Sequence, residues 1–221
     1  MVKIGVRLPR RIDDAGEYLA DARALDAAGV DSLWLDDEGH EPWLVLAGIA
    51  AVTGSARLVV PVSVVDARAP EVLAARLATL QRLSRGRVVL GVADTDALEH
   101  VLHIAREATC RTLFEATDER RAALAARAAD GVVGIDVSPD RARAWLTSTL
   151  ELRRREGVAD PFELWTRAAM PEDPVQWREL RRTYEDAGAT GLILPADPRL
   201  LDMLRNGDEE DDRSDLQLAQ G

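Results

Sequence analysis

A compact (β/α)8 barrel of the TIM type is the fold that this sequence predicts. Three observations carry the prediction. One plan recurs four times along the 221 residues: helical sequence, a glycine turn, a short apolar run, then aspartate. The apolar runs are nearly continuous, as in parallel strands covered on both faces. The segments together make about eight strands alternating with helices. A doubly wound open sheet is the other architecture that such alternation allows.

Residues 3–8 (KIGVRL) form the opening strand, and residues 15–28 the helix after it. The first repeat runs Ala27-Ala28-Gly29-Val30-Asp31, then SLWL, then Asp36. Its glycine suits the left-handed position just past a helix end. A helix over 43–53 leads to a strand over 57–65 that ends at Asp66. A helix over 70–83 precedes the second repeat, Ser84-Arg85-Gly86-Arg87, VVLGVA and Asp94. The helix over 97–108 is followed by a less pronounced strand, 112–116, and a helix over 119–129. The third repeat is Ala128-Ala129-Asp130-Gly131, VVGI and Asp136. A helix over 139–155, a strand over 162–168 and a helix over 173–187 bring the chain to the fourth, Asp186-Ala187-Gly188-Ala189-Thr190, GLILPA and Asp197. Pro70, Pro139 and Pro174 stand near helix starts, where the missing N–H costs nothing. Residues 1–205 thus read as a single domain, and 206–221, with the acidic run 208–212, as a disordered tail.

In either architecture ligands bind beyond the carboxyl ends of the strands. That explains why SLWL runs into Asp36, Asp37, Glu38 and His40. Strand alternation turns Arg7, Ser32, Trp34, Asp36, Glu115, Glu163, Trp165 and Arg167 inward. Buried charges need partners, so Arg7, Asp36, Glu115, Glu163 and Arg167 are expected to form one charge network. Structural salt bridging accounts for such a network as well as chemistry does.

The formal charge of −11 argues against nucleic acid and anionic membrane as partners. Cys110 is the single cysteine, no apolar run reaches spanning length, and the N-terminus lacks a signal-peptide pattern. A cytoplasmic location is the expectation. There is no GxGxxG, no GxxxxGK[ST], no HExxH and no GxSxG. His100 and His103 share a helix face without a third ligand in sequence, and Cys110 reads as a small core residue. No metal site is assigned, although the strand-end acids Asp36, Asp94, Asp136 and Asp197 keep a metal hydrolase as a third functional reading.

Several colinear segments resemble the bacterial-luciferase-like superfamily of flavin-dependent monooxygenases and deazaflavin-dependent oxidoreductases. They are KIGVRLP, AGVDSLW (28–34), LVLAGIAAVTGSARLVVP (44–61), LATLQRLSRGRVVLGV (77–92), the segment RTLFEATDERRAALAARAADGVVG (111–134) and AGATGLIL (187–194). The resemblance implies a barrel with FMN or a deazaflavin (coenzyme F420) at the mouth. It places the ring near Ser63 and Val64, with Asp36, Glu38 and His40 as hydrogen-bonding or proton-transfer groups. Arg7, Thr117 and Arg120 are the further candidate cofactor contacts. The sequence departs from the family where a long segment usually follows strand 4, since the next helix comes almost at once after Val92. It also carries Thr117-Asp118-Glu119-Arg120 where deazaflavin relatives show a Ser/Thr-Gly-Pro turn near the phosphate. The acid–histidine pair before Pro-Trp is displaced as well, to Glu38-Gly39-His40-Glu41-Pro42-Trp43.

Two main readings of function follow. One is an oxidoreductase or monooxygenase working through reduced flavin or deazaflavin on a small molecule. The other is a barrel without cofactor that serves as a binding or assembly partner. The helix over 42–54 (PWLVLAGIAAVTG) is apolar nearly all round, which predicts a homodimer built through it. Relatives in the superfamily commonly dimerise through this region.

Overall fold

The computed structural model describes residues 1–36, 40–62, 66, 68–93 and 98–206. Residues 207–221 of the predicted tail, and Glu38, Ser63 and Val64 among the predicted site residues, lie outside the described residues. The eight strands are β1 (Lys3–Arg7), β2 (Ser32–Trp34), β3 (Arg57–Val62), β4 (Val88–Val92), β5 (Arg111–Ala116), β6 (Gly131–Gly134), β7 (Glu163–Arg167) and β8 (Gly191–Pro195). The described helices between and after them are α1 (Ala15–Ala27), α2 (Pro42–Val52), α3 (Pro70–Ser84), α4 (Leu98–Glu107), α5 (Glu119–Ala128), α6 (Pro139–Arg155), α7 (Pro174–Asp186) and α8 (Leu200–Asn206). Each strand pairs in parallel with the next, and β1 pairs with β8. The sheet therefore closes into a (β/α)8 barrel, and the open-sheet alternative is set aside. Between β4 and α4 there is no room for a long insertion, because β4 ends at Val92 and α4 begins at Leu98.

Local chemistry explains the element ends. Asp14, Asp118, Ser138 and Asp173 each cap a helix by accepting from a backbone N–H with the side chain. Gly29, Gly86 and Gly188 take positive φ past their helices, as the repeat predicted. The third repeat differs. Gly131 is buried inside β6, and α5 ends on Ala129 in extended backbone. Its hydrogen is needed for another reason: a Cβ there would lie 2.6 Å from the Glu163 carbonyl oxygen.

The polar residue ahead of a strand does a recurring job at the barrel's amino end. Asp31 Oδ2 accepts from Ile4 N (2.8 Å), Asp130 Oδ2 from Thr112 N (2.7 Å), and Thr190 Oγ1 from Leu164 N (3.0 Å). Each ties the start of one strand to a neighbour and satisfies an amide that the ladder leaves over.

The main core lies between strands and helices and is built of Ala, Val, Leu and Ile with Trp43, Trp145 and Trp177. A second apolar layer fills the barrel interior: Trp34, Val59, Val89, Leu113, Val133, Trp165 and Ile193. Two indoles fit there because glycine faces them. A Cβ on Gly5 would sit 2.5 Å from Trp34 Nε1, and one on Gly191 would sit 2.3 Å from the Trp165 ring. The two rings meet at 5.7 Å with a 57° tilt.

Candidate functional site at the barrel mouth

Above the tryptophan layer, at the carboxyl ends of the strands, lies a cavity of about 210 Å³. Trp34, Val59 and Ile193 are its floor, and Pro61 and Gly91 line one wall. Its polar groups come from four strand ends and one loop. Arg7 follows from β1, Asp36 from the end of β2, Glu115 from β5, Arg167 from β7, and Arg10 from the loop after β1. Arg10 Nε donates to Asp36 Oδ2 at 3.0 Å, and Arg7 Nη1 stands 3.9 Å from the same oxygen. Opposite them, Arg167 Nη2 donates to Glu115 Oε1 at 2.7 Å. The cavity is thus an apolar-floored cup between two ion pairs. It is smaller than the roughly 300–1,000 Å³ of pockets that enclose a drug-sized ligand.

The single charge network expected from the sequence is in fact three separate clusters, two at the mouth and one at the base. Arg7, Asp36, Glu115 and Arg167 line the mouth, but Glu163 lies below the tryptophans at the base. There Arg57 Nη1 donates to both its oxygens (3.1 and 3.0 Å), Arg111 Nη1 to Oε1 (2.8 Å) and Trp165 Nε1 to Oε2 (2.7 Å). Burial pushes the Glu163 carboxyl up. The Trp165 hydrogen bond and the Arg57 and Arg111 guanidiniums outweigh that and hold it below the usual carboxylate range. Arg57 and Arg111 were missed in the sequence. Counting back by twos from inward Val59 and Leu113 would have found both.

The other predicted residues fall at the rim. His40 is exposed, and its Nε2 accepts from Ile12 N at 3.1 Å. This bond ties His40 to the β1–α1 loop, and His40 does not line the cup. Thr117 and Arg120 are exposed, and the Thr117 carbonyl accepts from Arg141 Nη2 at 3.2 Å. Asp118 Oδ1 accepts from Arg121 N at 3.0 Å. Arg121 in turn donates to the carbonyls of Glu115 and Ala93 and lies over the Phe114 ring. A helix start can hold an anion through free N–H groups and its positive dipole end. At α5 the chain's own carboxylate has taken that place.

The strand-end acids do not converge. Asp36 turns to Arg10, Asp197 closes on Arg199 at 2.9 Å, and Asp136 is exposed with φ 53°. Asp94 lies outside the described residues. Among the described residues no three of His, Cys, Asp or Glu gather in a way that could hold a metal ion. Cys110 is buried under α4, and burial pushes its thiol up to about 12, which leaves it a core residue. Among the described residues no helix is long and apolar enough to cross a membrane.

Comparison with known proteins gives the following likenesses. Residues 2–106 match the family described as luciferase-like monooxygenase. An F420-dependent glucose-6-phosphate dehydrogenase of Amycolatopsis mediterranei (strain U-32) is 29% identical over 118 residues, covering 48% of this chain and 35% of that one. The chain therefore spans about a third of the length of that curated relative. An F420-dependent secondary alcohol dehydrogenase, solved with an F420–acetone adduct, superposes with a TM-score of 0.70 at 13% identity, over 88% of this chain and 93% of that one. EDTA monooxygenase from Chelativorans sp. BNC1 gives 0.73 at 10% identity, over 92% of each chain. The F420-dependent tetrahydromethanopterin reductase of Methanopyrus kandleri gives 0.69 at 13% identity, over 94% and 98%. At such identities the structural likeness is one of fold.

Proposed function

We propose that this chain, whose residues 2–106 match the family described as luciferase-like monooxygenase, is an oxidoreductase of that family that works on a small organic molecule at the barrel mouth. Flavin or deazaflavin is then a loosely held reactant and not a resident group. When bound, such a group supplies the hydride or oxygen chemistry, and the protein supplies binding and electrostatics.

The carrying observation is the occupied start of α5. The N–H groups that would hold a cofactor phosphate there face Asp118, whose Oδ1 already takes Arg121 N at 3.0 Å. The residues present do not fit a tightly gripped phosphate at that turn. The cup itself suits a flat, polar-edged molecule. Trp34, Val59 and Ile193 keep water from beneath it, while Arg10 and Arg167 fix the Asp36 and Glu115 carboxylates as acceptors at its edge. Of the proton-transfer candidates within the described residues, Asp36 is at the cup and His40 is not.

Stopped-flow turnover with reduced FMN and reduced F420, each added in excess over protein, tests this reading. The expected result is activity that rises with cofactor concentration without saturating below about 10 μM. Saturation at stoichiometric cofactor would contradict it. The second reading, a barrel that binds without catalysis, is favoured by the engagement of His40 with the Ile12 amide. Its signature is ligand binding at the mouth with no oxidation of either reduced cofactor above the buffer rate.

A further inference from the structure

We infer that Arg7 is the anchor for a ligand carboxylate, and that the mouth selects small monocarboxylates with an apolar body. This rests on the mouth being the ligand site, as proposed above.

Arg7 is an inward residue of β1 that lines the cup with Trp34, yet among the described residues its side chain makes no hydrogen bond. Its nearest acid oxygen, Asp36 Oδ2, is 3.9 Å away and already receives Arg10 Nε at 3.0 Å. The Asp36 side chain is 14% exposed and that of Arg7 36%, so the carboxylate is enclosed while the guanidinium still opens on the cup. A guanidinium has five donors in a planar fork that matches a carboxylate. On the far side Glu115 has its own arginine, Arg167, at 2.7 Å. Among the described residues the cup is lined by three arginines and two carboxylates, and Arg7 is the arginine without a close carboxylate of its own. A ligand carboxylate would pair with it.

The rest of the cup sets the ligand's body. Its floor is apolar, and its volume of about 210 Å³ limits the occupant to something near the size of one substituted ring. A bare inorganic anion would satisfy Arg7 but leave the floor wet. A neutral ring would cover the floor and leave Arg7 unsatisfied. Only a molecule with both parts uses both features.

The test is isothermal titration of the full chain at low salt with benzoate, benzamide and inorganic phosphate as probes. Benzoate should bind at least roughly fivefold tighter than benzamide, and added salt should erode the difference. Arg7→Gln should abolish the preference for benzoate, and Arg7→Lys should keep part of it, because the charge remains and the fork is lost. Equal binding of benzoate and benzamide, or an undiminished preference in Arg7→Gln, would overturn the role of Arg7 while leaving the mouth as a binding site. Phosphate binding as tightly as benzoate would overturn the assignment to apolar-bodied carboxylates. No binding of any probe up to about 20 mM would overturn the inference and count against the mouth as well.

Discussion

Glu163 shows what single residues contribute and what the sequence could say of them. Alternation by twos correctly turned Arg7, Asp36, Glu115, Glu163 and Arg167 inward. It could not say at what height each lies, because height in a barrel depends on the stagger between strands. Glu163 opens β7 and Arg167 closes the same strand, with the tryptophan layer between them. Its three partners make Glu163 a latch at the barrel base, where it is 5% exposed. Glu163→Ala leaves Arg57 and Arg111 without their acid and should cost about 3 kcal/mol in urea unfolding. The sign of the pH effect follows from its depressed carboxyl. Stabilisation is full above the unfolded-state value near 4.3 and fades as pH falls through the lower folded value. Glu163→Gln should therefore unfold with a shallower pH dependence below about pH 4.5 than the parent chain. Equal slopes would show that the latch does not titrate as described.

Elements were legible where glycine and apolar period agreed and less so elsewhere. β5 and β7 carry inward charges, which thins their apolar pattern, yet both form with full parallel ladders. α8 was not anticipated, being seven residues long with only Leu200 and Met203 buried. The α2–β3 connection shows how one acid can organise a loop. Asp26 accepts from Gly54 N (2.8 Å), Ser55 N (3.0 Å), Ser55 Oγ (2.9 Å) and Ala56 N (2.6 Å). Beneath it Arg87 Nη1 and Nη2 donate to the carbonyls of Ala56 (2.7 Å) and Thr53 (3.0 Å). This pair closes the loop that delivers β3 to the barrel, and with it Val59 and Pro61 to the mouth. Asp26→Ala should lower stability by about 2 kcal/mol, and Asn should recover part of it, because it keeps one acceptor oxygen but turns a donor NH2 toward an amide that Asp26 now accepts. Hydrogen exchange at Gly54–Ala56 should accelerate more in the alanine variant than in the asparagine one. Equal protection in both variants would mean that the loop is held by Arg87 without Asp26.

At the scale of the whole molecule, α2 does not spend all its apolar surface on the barrel. Trp43, Leu46, Ile49 and Ala50 are buried, but Leu44 is 74% exposed beside a groove of about 400 Å³ shared with α3, where Leu83 is 54% exposed. We propose that a second copy of the chain covers this groove, as the helix over 42–54 led the sequence to predict. Light scattering at micromolar concentration should give twice the 24.1 kDa chain mass, and Leu44→Glu should halve it. A monomeric parent chain would rule this out. What the sequence could not reveal was which rim residues are spent on the fold itself. His40 and Asp118 both read as functional or disruptive polar residues, and both hold backbone amides of their own chain.

If Asp118 keeps a phosphate from the start of α5, as proposed, calorimetric titration of FMN against riboflavin tests it most directly. The two ligands share a ring and differ by the phosphate. The parent chain should bind FMN no more than about threefold tighter than riboflavin. Asp118→Gly with Glu119→Pro clears both acids, at little cost to the helix, because glycine is a fair N-cap and proline suits the first helical position. The double variant should gain about tenfold for FMN and nothing for riboflavin, with the gain shrinking as salt rises. FMN bound roughly 100-fold tighter than riboflavin by the parent chain would contradict the account, since a phosphate would then be gripped in spite of Asp118.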